Sequence, residues 1–208
     1  MSQPGQSSST KNVTNPVLRS LPMPIKTNRL EIRPAIPGEG KKINAAIVAS
    51  HPELRQWMPW AIDLPTIEDS EERIRKNQAE WILRSNLNLS IFLNGAYLGG
   101  TGYHRLDWQV PCFEIGYWVR SDMVGQGVVT ETVSALTSYA IRELGARRLE
   151  IRCDALNKSS SNVARRCGFE LEACLRRQAL KPGTDELRDT EVYVRFDDLG
   201  LPDVGVSW

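Results

Sequence analysis

Runs that alternate apolar and polar residues with a period of two recur along this chain, and they constrain its fold more than any other feature. Leu30 and Ile32 alternate with Arg29, Glu31 and Arg33; Leu89, Ile91 and Leu93 share a face; so do Phe113, Ile115, Tyr117 and Val119. Further on, Leu149, Ile151 and Cys153 alternate with Arg148, Glu150 and Arg152, then come Phe169, Leu171, Ala173 and Leu175, and finally Val192, Val194 and Phe196. Side chains of a strand point to opposite faces in turn, so each run reads as a half-buried strand. The stretch from Tyr97 to Leu106 reads as one more, weakened by Gly99, Gly100 and Gly102. Helices separate some of these strands. Thr66 with Asp69 forms a capping-box signature ahead of Ile67, Ile74 and Trp81. Val129, Val133, Leu136 and Ala140 make the inner face of a helix expected over Val128 to Leu144, with Gly145 as its stop. A short third helix is expected between Asn157, a good N-cap, and Cys167 with Gly168 beyond it. Strands mixed with helices give an α/β or α+β sheet protein.

Composition narrows the function. A chain of 208 residues builds one domain with a sizeable core, expected over residues 25–197. Residues 1–24 are rich in Ser, Pro, Gly, Asn and Gln and read as a mobile tail, and residues 198–208 as a C-terminal tail along the surface. A net charge of +1 gives no call for nucleic acid or an anionic membrane. No apolar stretch is long enough to span a bilayer, and no secretory signal opens the chain. The 4 cysteines lack CxxC spacing and only 2 histidines accompany them, so no metal site is expected. These features predict free thiols in a reducing cytoplasm.

The stretch that carries chemistry runs from Tyr117 to Glu131: a strand, a short loop with Gly125-Gln126-Gly127, then an amphipathic helix. Glycines let backbone amides approach a ligand, and a helix N-terminus carries partial positive charge, so Val124 to Val129 form an anion site suited to a pyrophosphate. The same pair of glycines also serves tight turning alone. A Walker loop is excluded because Gly-Lys-Ser/Thr is missing, and a dinucleotide fingerprint because Thr130 stands where its third glycine belongs.

Glu114-Ile-Gly-Tyr-Trp118, the Gly125-Gln-Gly127 turn, Thr130-Glu131, Asn157 to Ser160 and Arg166-Cys-Gly-Phe169 follow one another in an order and spacing far more specific than the glycines. With these motifs the chain resembles the GNAT superfamily of N-acetyltransferases over about Thr27 to Phe196, and within it the RimJ and RimL type of ribosomal-protein N-terminal acetyltransferase. Trp57-Met-Pro-Trp60 is similar to the loop before the second helix in that branch. The resemblance implies a mixed, mostly antiparallel central sheet of about seven strands flanked by helices, with two central strands splayed around the acyl donor. It implies transfer of an acetyl group from acetyl-CoA to a primary amine by direct attack. The acceptor is a protein N-terminus or a small molecule, a catalytically silent acyl-CoA-binding module is the third alternative, and a homodimer is an open expectation. The loop departs from the family in one place: Asp122 stands where Gln or Arg is frequent.

Roles follow residue by residue from the resemblance. Backbone groups of Trp118 and Val119 would hold the pantetheine arm and polarise the thioester carbonyl, while amides of Val124, Gly125, Gln126, Gly127, Val128 and Val129 would hold the pyrophosphate. Asn157 matches a side chain that bonds the arm, a role compatible with plain N-capping. Ser160 matches a serine near the sulfur and is the expected proton donor to the leaving thiolate, with Ser159 and Ser161 as its neighbours in doubt by one position. Glu114 is the first choice as base; ion pairing is its bland alternative, and alternation sets it on the face opposite Tyr117. Glu172 and His104 stand in reserve, and Ala179 occupies the position of a glutamate used in some RimL-type enzymes. Cys153 would line the cleft without acting as a nucleophile. Trp57, Trp60 and His104 are expected on the acceptor side, where simple packing is the competing role of the tryptophans.

Overall fold

The computed structural model describes residues 15–208. Its sheet has eight strands: β1 (Ile25–Lys26), β2 (Glu31–Arg33), β3 (Leu87–Leu93), β4 (Ala96–Asp107), β5 (Cys112–Val119), β6 (Arg148–Asp154), β7 (Glu170–Leu180) and β8 (Leu187–Arg195). They lie in the order β1-β2-β3-β4-β5-β6-β8-β7. Neighbours are antiparallel except β5 and β6, which run parallel. That parallel pair is joined only at Cys112↔Arg148, Phe113↔Leu149 and Glu114↔Glu150; beyond Glu114 the two strands part, as the family resemblance implies.

Four helices cover the sheet: α1 (Gly40–Trp57), α2 (Ile67–Leu83), α3 (Val128–Tyr139) and α4 (Lys158–Arg166). The capping box of α2 is present, with the Asp69 amide donating to Thr66 Oγ1 at 3.0 Å and the Thr66 amide to Asp69 Oδ2 at 2.9 Å. Asn157 Oδ1 accepts the Ser160 amide at 3.1 Å and starts α4. The helix expected over 128–144 is one rod of two pitches, because α3 continues as a π turn over Ala140–Leu144 before Gly145 closes it at φ 70°. The patterning read above does not mark α1 at all. Its start has no side-chain cap of its own and it contains Pro52. Glu71 of α2 supplies the cap instead, accepting from the Gly38 and Gly40 amides at 3.0 and 3.2 Å.

The main core lies between the sheet and α3, around Tyr103, Phe113, Ile115, Leu136, Tyr139 and Tyr193. Under α1 there are only two small clusters, Ala46 with Phe92 and Tyr97, and Ile47 with Leu54 and Ala61. Both terminal readings need correction. Of the expected N-terminal tail, residues 1–14 lie outside the described residues. From Asn15 onward the chain is docked: Arg19 donates to the carbonyls of Leu144 and Glu143 at 2.9 and 2.8 Å, and Leu21 and Met23 pack on the core. The C-terminal segment is docked as well, since Lys26 and Ser207 exchange backbone bonds of 2.7 and 2.9 Å and the Trp208 ring meets Tyr139 edge-on at 5.3 Å. Leu201, Val204, Val206 and Trp208 give that segment apolar surface to bury despite its glycines and proline.

Candidate active site

Where β5 and β6 part, a cavity of about 590 Å³ opens and extends under α1 and α2. Trp57, Met58, Trp60, Asn77, Asn86, Asn88 and His104 line it, with Trp60 the most exposed of them. Glu114, Gly116 and Trp118 of β5 make one wall, and Cys153, Asn157 and Ser160 close it from the far side of the split. A volume of this size lies in the range of small-molecule sites. The cavity thus brings together Ser160, Glu114, Asn157, Trp118, Trp57, Trp60 and His104. Val119 and the loop from Val124 to Val129 lie outside it.

Among the three consecutive serines, Ser160 alone lines this space. Ser161 is buried and donates to the Lys158 carbonyl at 3.2 Å. Ser160 Oγ stands 2.9 Å from the Tyr117 hydroxyl, which also reaches the Ser160 carbonyl at 3.2 Å. Burial pushes the Tyr117 phenol well above its ordinary range, so it stays protonated; it donates to the Ser160 carbonyl, and toward Oγ either hydroxyl can be the donor. Tyr117 was not among the expected site residues. It faces α3 and α4 whereas Glu114 faces α1 and α2, and the split strands let both faces reach one cleft. Burial raises the Cys153 thiol to about 11, against the pull of a Ser160 hydrogen bond, which suits a lining group and not a nucleophile.

Glu114 is partly buried, and burial pushes its carboxyl up, with Arg105 and Arg152 pulling the other way. Arg105 Nε stands 2.8 Å from Oε2 as an ion pair, off the axis a hydrogen bond requires, so this oxygen is buried without an aligned donor. No twist of β5 is needed to aim Glu114 at the cavity, because the cavity occupies its own face. The irregularity lies in β4 instead, between His104 and Asp107, where Arg105 adopts φ 47° and swings toward Glu114. His104 lies directly across from Glu114 in the β4–β5 ladder. Burial lowers its pKa, and Nδ1 is 2.8 Å from Asn86 Oδ1. Glu172 is remote: on β7, it grips Arg148 through Nη1 at 2.9 Å and Nη2 at 2.5 Å, and those hydrogen bonds lower its pKa. Ala179 also sits on exposed β7, away from the cavity.

The glycine loop lies at the N-terminus of α3, on the opposite face of the sheet from the acceptor cavity. Gly125 and Gly127 have φ 80° and 77°, conformations that side chains with a Cβ resist. Among the described residues, the amides of Val128, Val129 and Thr130 find no backbone acceptor, as expected at the open start of a helix. Asp122 does not confront an incoming anion with free charge, because Arg120 Nη2 holds its Oδ2 at 2.6 Å. A basic group that the sequence pattern did not single out stands here too: Arg29 donates to the Gln126 carbonyl at 3.3 Å and pairs with buried Glu131 at 2.5 Å. The open edge of β5 beyond Glu114, with Trp118 and Val119, leads from this loop into the cleft. The Trp118 ring points to the acceptor side, 5.9 Å from the rings of both Trp60 and Tyr97.

An open-edged cleft between the free amides of a helix start and a partly open cavity lined by both polar and apolar groups suits acyl-CoA and an amine. The family described as "Acetyltransferase (GNAT) domain" matches residues 29–170. The chain belongs to the GNAT acetyltransferase family. As a GNAT acetyltransferase it uses acetyl-CoA as donor substrate and acylates an amine. The chain is 28% identical over 148 residues to the ribosomal-protein-serine acetyltransferase of Escherichia coli (strain K12), covering 69% of this chain and 82% of that protein. Its fold is similar to RimL, a ribosomal L7/L12 alpha-N-protein acetyltransferase solved with coenzyme A, with a TM-score of 0.77 and 23% identity over 83% of this chain and 96% of the other. It is similar also to the microcin C7 self-immunity acetyltransferase MccE, solved with acetyl-CoA and AMP, with a TM-score of 0.75 and 23% identity over 81% and 93% of the two chains. Among the described residues no group of three or more His, Cys, Asp and Glu could hold a metal, and no helix is long and apolar enough to cross a membrane.

Proposed function

We propose that this GNAT acetyltransferase acylates the N-terminal amine of a protein, by direct attack on acetyl-CoA within a ternary complex. The donor's pyrophosphate lies on the amides of Val124 to Val129, and its pantetheine arm along Trp118, Val119 and Asn157. The acceptor enters past Trp57 and Trp60. Its nitrogen attacks the thioester carbonyl, the C–S bond breaks, and Ser160 protonates the departing sulfur while Tyr117 holds the serine hydroxyl. One proton of the incoming ammonium leaves through the His104–Glu114 pair before attack, and the one its nitrogen sheds on acylation replaces the proton that Ser160 gives to sulfur. The observation that carries this reading is the Tyr117–Ser160 contact of 2.9 Å at the meeting of cleft and cavity. It joins a neutral phenol to the serine on the side of the split that faces the loop. The peptide acceptor is supported by the ribosomal-protein acetyltransferases among the relatives. A second reading, a small-molecule amine, is favoured by the cavity volume of about 590 Å³.

A cytoplasmic location and a homodimer belong to the proposal as well. The thiols of Cys112, Cys153, Cys167 and Cys174 are free, and among the described residues β7 is an unpaired sheet edge. Thermal unfolding with acetyl-CoA, CoA and ATP tests the donor, because a ligand that binds only the native state raises the melting temperature. Release of free thiol from acetyl-CoA with serine-initiated peptides, set against polyamines and amino-acid conjugates, tests the acceptor. A melting shift without thiol release on any amine would turn the reading to a silent acyl-CoA-binding module.

A further inference from the structure

We propose that His104 is the group that takes the proton from the acceptor amine, its Nε2 presented to the cavity by a hydrogen-bond chain through Asn86 to Glu80. The inference rests on the acetyltransferase reading and narrows it to one member of the His104–Glu114 pair.

The chain of bonds fixes the ring's proton. Glu80 Oε2 accepts from Asn86 Nδ2 at 3.2 Å and from Asn88 Nδ2 at 3.1 Å. An ionised carboxylate only accepts, so the amide nitrogen of Asn86 must face Glu80 and its carbonyl must face His104. Asn86 Oδ1 therefore accepts, and His104 Nδ1, at 2.8 Å, must donate. In a neutral imidazole the other nitrogen is then a bare lone pair. Among the described residues Nε2 has no hydrogen-bond partner, and the residue lines the cavity.

Position favours the histidine over Glu114. A Cβ built on Gly116 would lie 2.7 Å from His104 Cδ2 and 2.8 Å from Nε2. The ring tip thus leans off its own rung, across from Glu114, toward Gly116 and the open end of the split. Glycine at 116 is what gives it room. Glu114 sits at the apex, on the last position where β5 and β6 are still paired, with Arg105 against it.

The step balances. An incoming ammonium gives one proton to Nε2, the free amine forms its C–N bond, and the C–S bond breaks. The remaining proton from nitrogen replaces the one Ser160 gives to sulfur, so CoA leaves as the thiol and imidazolium returns its proton to solvent. Of the charged groups around the ring, Glu80 of α2 acts on it; Asp69 and Arg73 of α2, Glu114 of β5, and Arg152 and Asp154 of β6 line the same cavity, and Arg105 on its own strand pairs with Glu114. Asn86, just before β3, and Asn88 of β3 bring only amides. Burial lowers the imidazole and Glu80 raises it, with burial the larger effect. The competent form is neutral, so kcat falls as pH drops through a value below the ordinary imidazole range.

Two measurements test this. With only 2 histidines in the chain, nitrogen NMR of the ¹⁵N-labelled protein reads the tautomer of His104 directly, with His51→Gln as the assignment control. The expected result is a ring protonated at Nδ1, and Asn86→Ala mixes the tautomers. The second is the pH profile of kcat at saturating acetyl-CoA and serine-initiated peptide. His104→Gln should lose the acid limb and about 100-fold in kcat, with its acetyl-CoA melting shift intact, while Glu114→Gln keeps the limb. An Nε2-protonated ring in the wild type, an acid limb surviving in His104→Gln, or a limb lost in Glu114→Gln would overturn the assignment alone. Wild-type protein that transfers acetyl to no amine overturns the acetyltransferase reading and this one with it.

Discussion

Tyr103 and His104 are neighbours on one strand and live in different chemistries. Tyr103 is fully buried against α3 and gives its hydroxyl to the Leu136 carbonyl at 2.6 Å. His104 faces the other way, into the cavity under α1 and α2. The two faces of the sheet differ as these residues do. On the α3 side, Ser134 donates to Thr130 O at 2.9 Å and Thr137 to Val133 O at 2.8 Å, while the hydroxyls of Thr132 and Tyr139 are buried without a partner, all within a continuous apolar core. On the α1/α2 side the apolar clusters are small and amides and ion pairs line the space between them. The contrast teaches how a transferase separates its tasks. In the proposed division, the donor, the same in every turnover, lies on backbone amides at the densely packed side, while the acceptor meets the cavity side, where side chains decide.

The largest test of that division is Gly127→Glu, which puts a carboxylate and a strained residue at φ 77° beside the loop amides. We expect acetyl-CoA binding to fall about 100-fold or more by titration calorimetry, a loss on the order of 3 kcal/mol. Intact affinity in a folded variant would remove the loop from the donor site. Next in size, Ser160→Ala should lower kcat about 100-fold and leave acetyl-CoA affinity near its wild-type value. Weakened binding at unchanged turnover would assign the serine to the arm instead of the sulfur. The two faces should then part company in stability. Leu136→Ala, in the α3 core, is expected to cost about 2–5 kcal/mol in denaturant unfolding. Trp60→Ala, at an exposed position lining the cavity, should change stability by less than about 0.5 kcal/mol while raising the acceptor KM. Equal stability losses would mean that Trp60 is core.

The smallest effect concerns the start of α1. Burial alone would raise the Glu39 carboxyl, but Arg33, the Ile36 amide and Lys42 hold it down to about 2. A carboxylate whose folded value is depressed stabilises the fold above its unfolded pKa and loses that contribution as pH falls toward its folded one. The melting temperature should therefore drop between about pH 4.5 and pH 2 more steeply in the wild type than in Glu39→Gln. Parallel curves would show that the Arg33–Glu39 pair does not anchor this side.

What the sequence announces, and what it hides, follows from how local each cause is. The caps of α2 and α4 are legible because Thr66, Asp69 and Asn157 bond amides three residues away. The cap of α1 is not, since Glu71 arrives from another helix, and Pro52 breaks the pattern further. β1 has only two residues, too few to show a period. Motif spacing marks Ser160, Asn157 and the loop; the structure brings the first two to the cavity and leaves the loop outside it. Tyr117 escapes because alternation assigns it away from Glu114, and only the parting of β5 and β6 makes both faces accessible at once. The Arg105 turn carries no glycine to signal it, and Asn86 and Glu80 reach His104 from separate elements.

The parting of β5 from β6 also has a mechanical meaning. Three rungs of ladder, Cys112 to Glu114, join the strands β1 to β5 with the strands β6, β8 and β7 through the middle of the sheet. Past them, two backbones offer donors and acceptors across a gap, and a pantetheine chain with its own amides can supply the missing rungs. In the proposed donor site, acetyl-CoA would act as a removable strand. Loading it would stiffen the whole sheet, and discharging CoA would loosen it again, so amide exchange along Ile115–Val119 and Ile151–Asp154 should follow the turnover state of the enzyme.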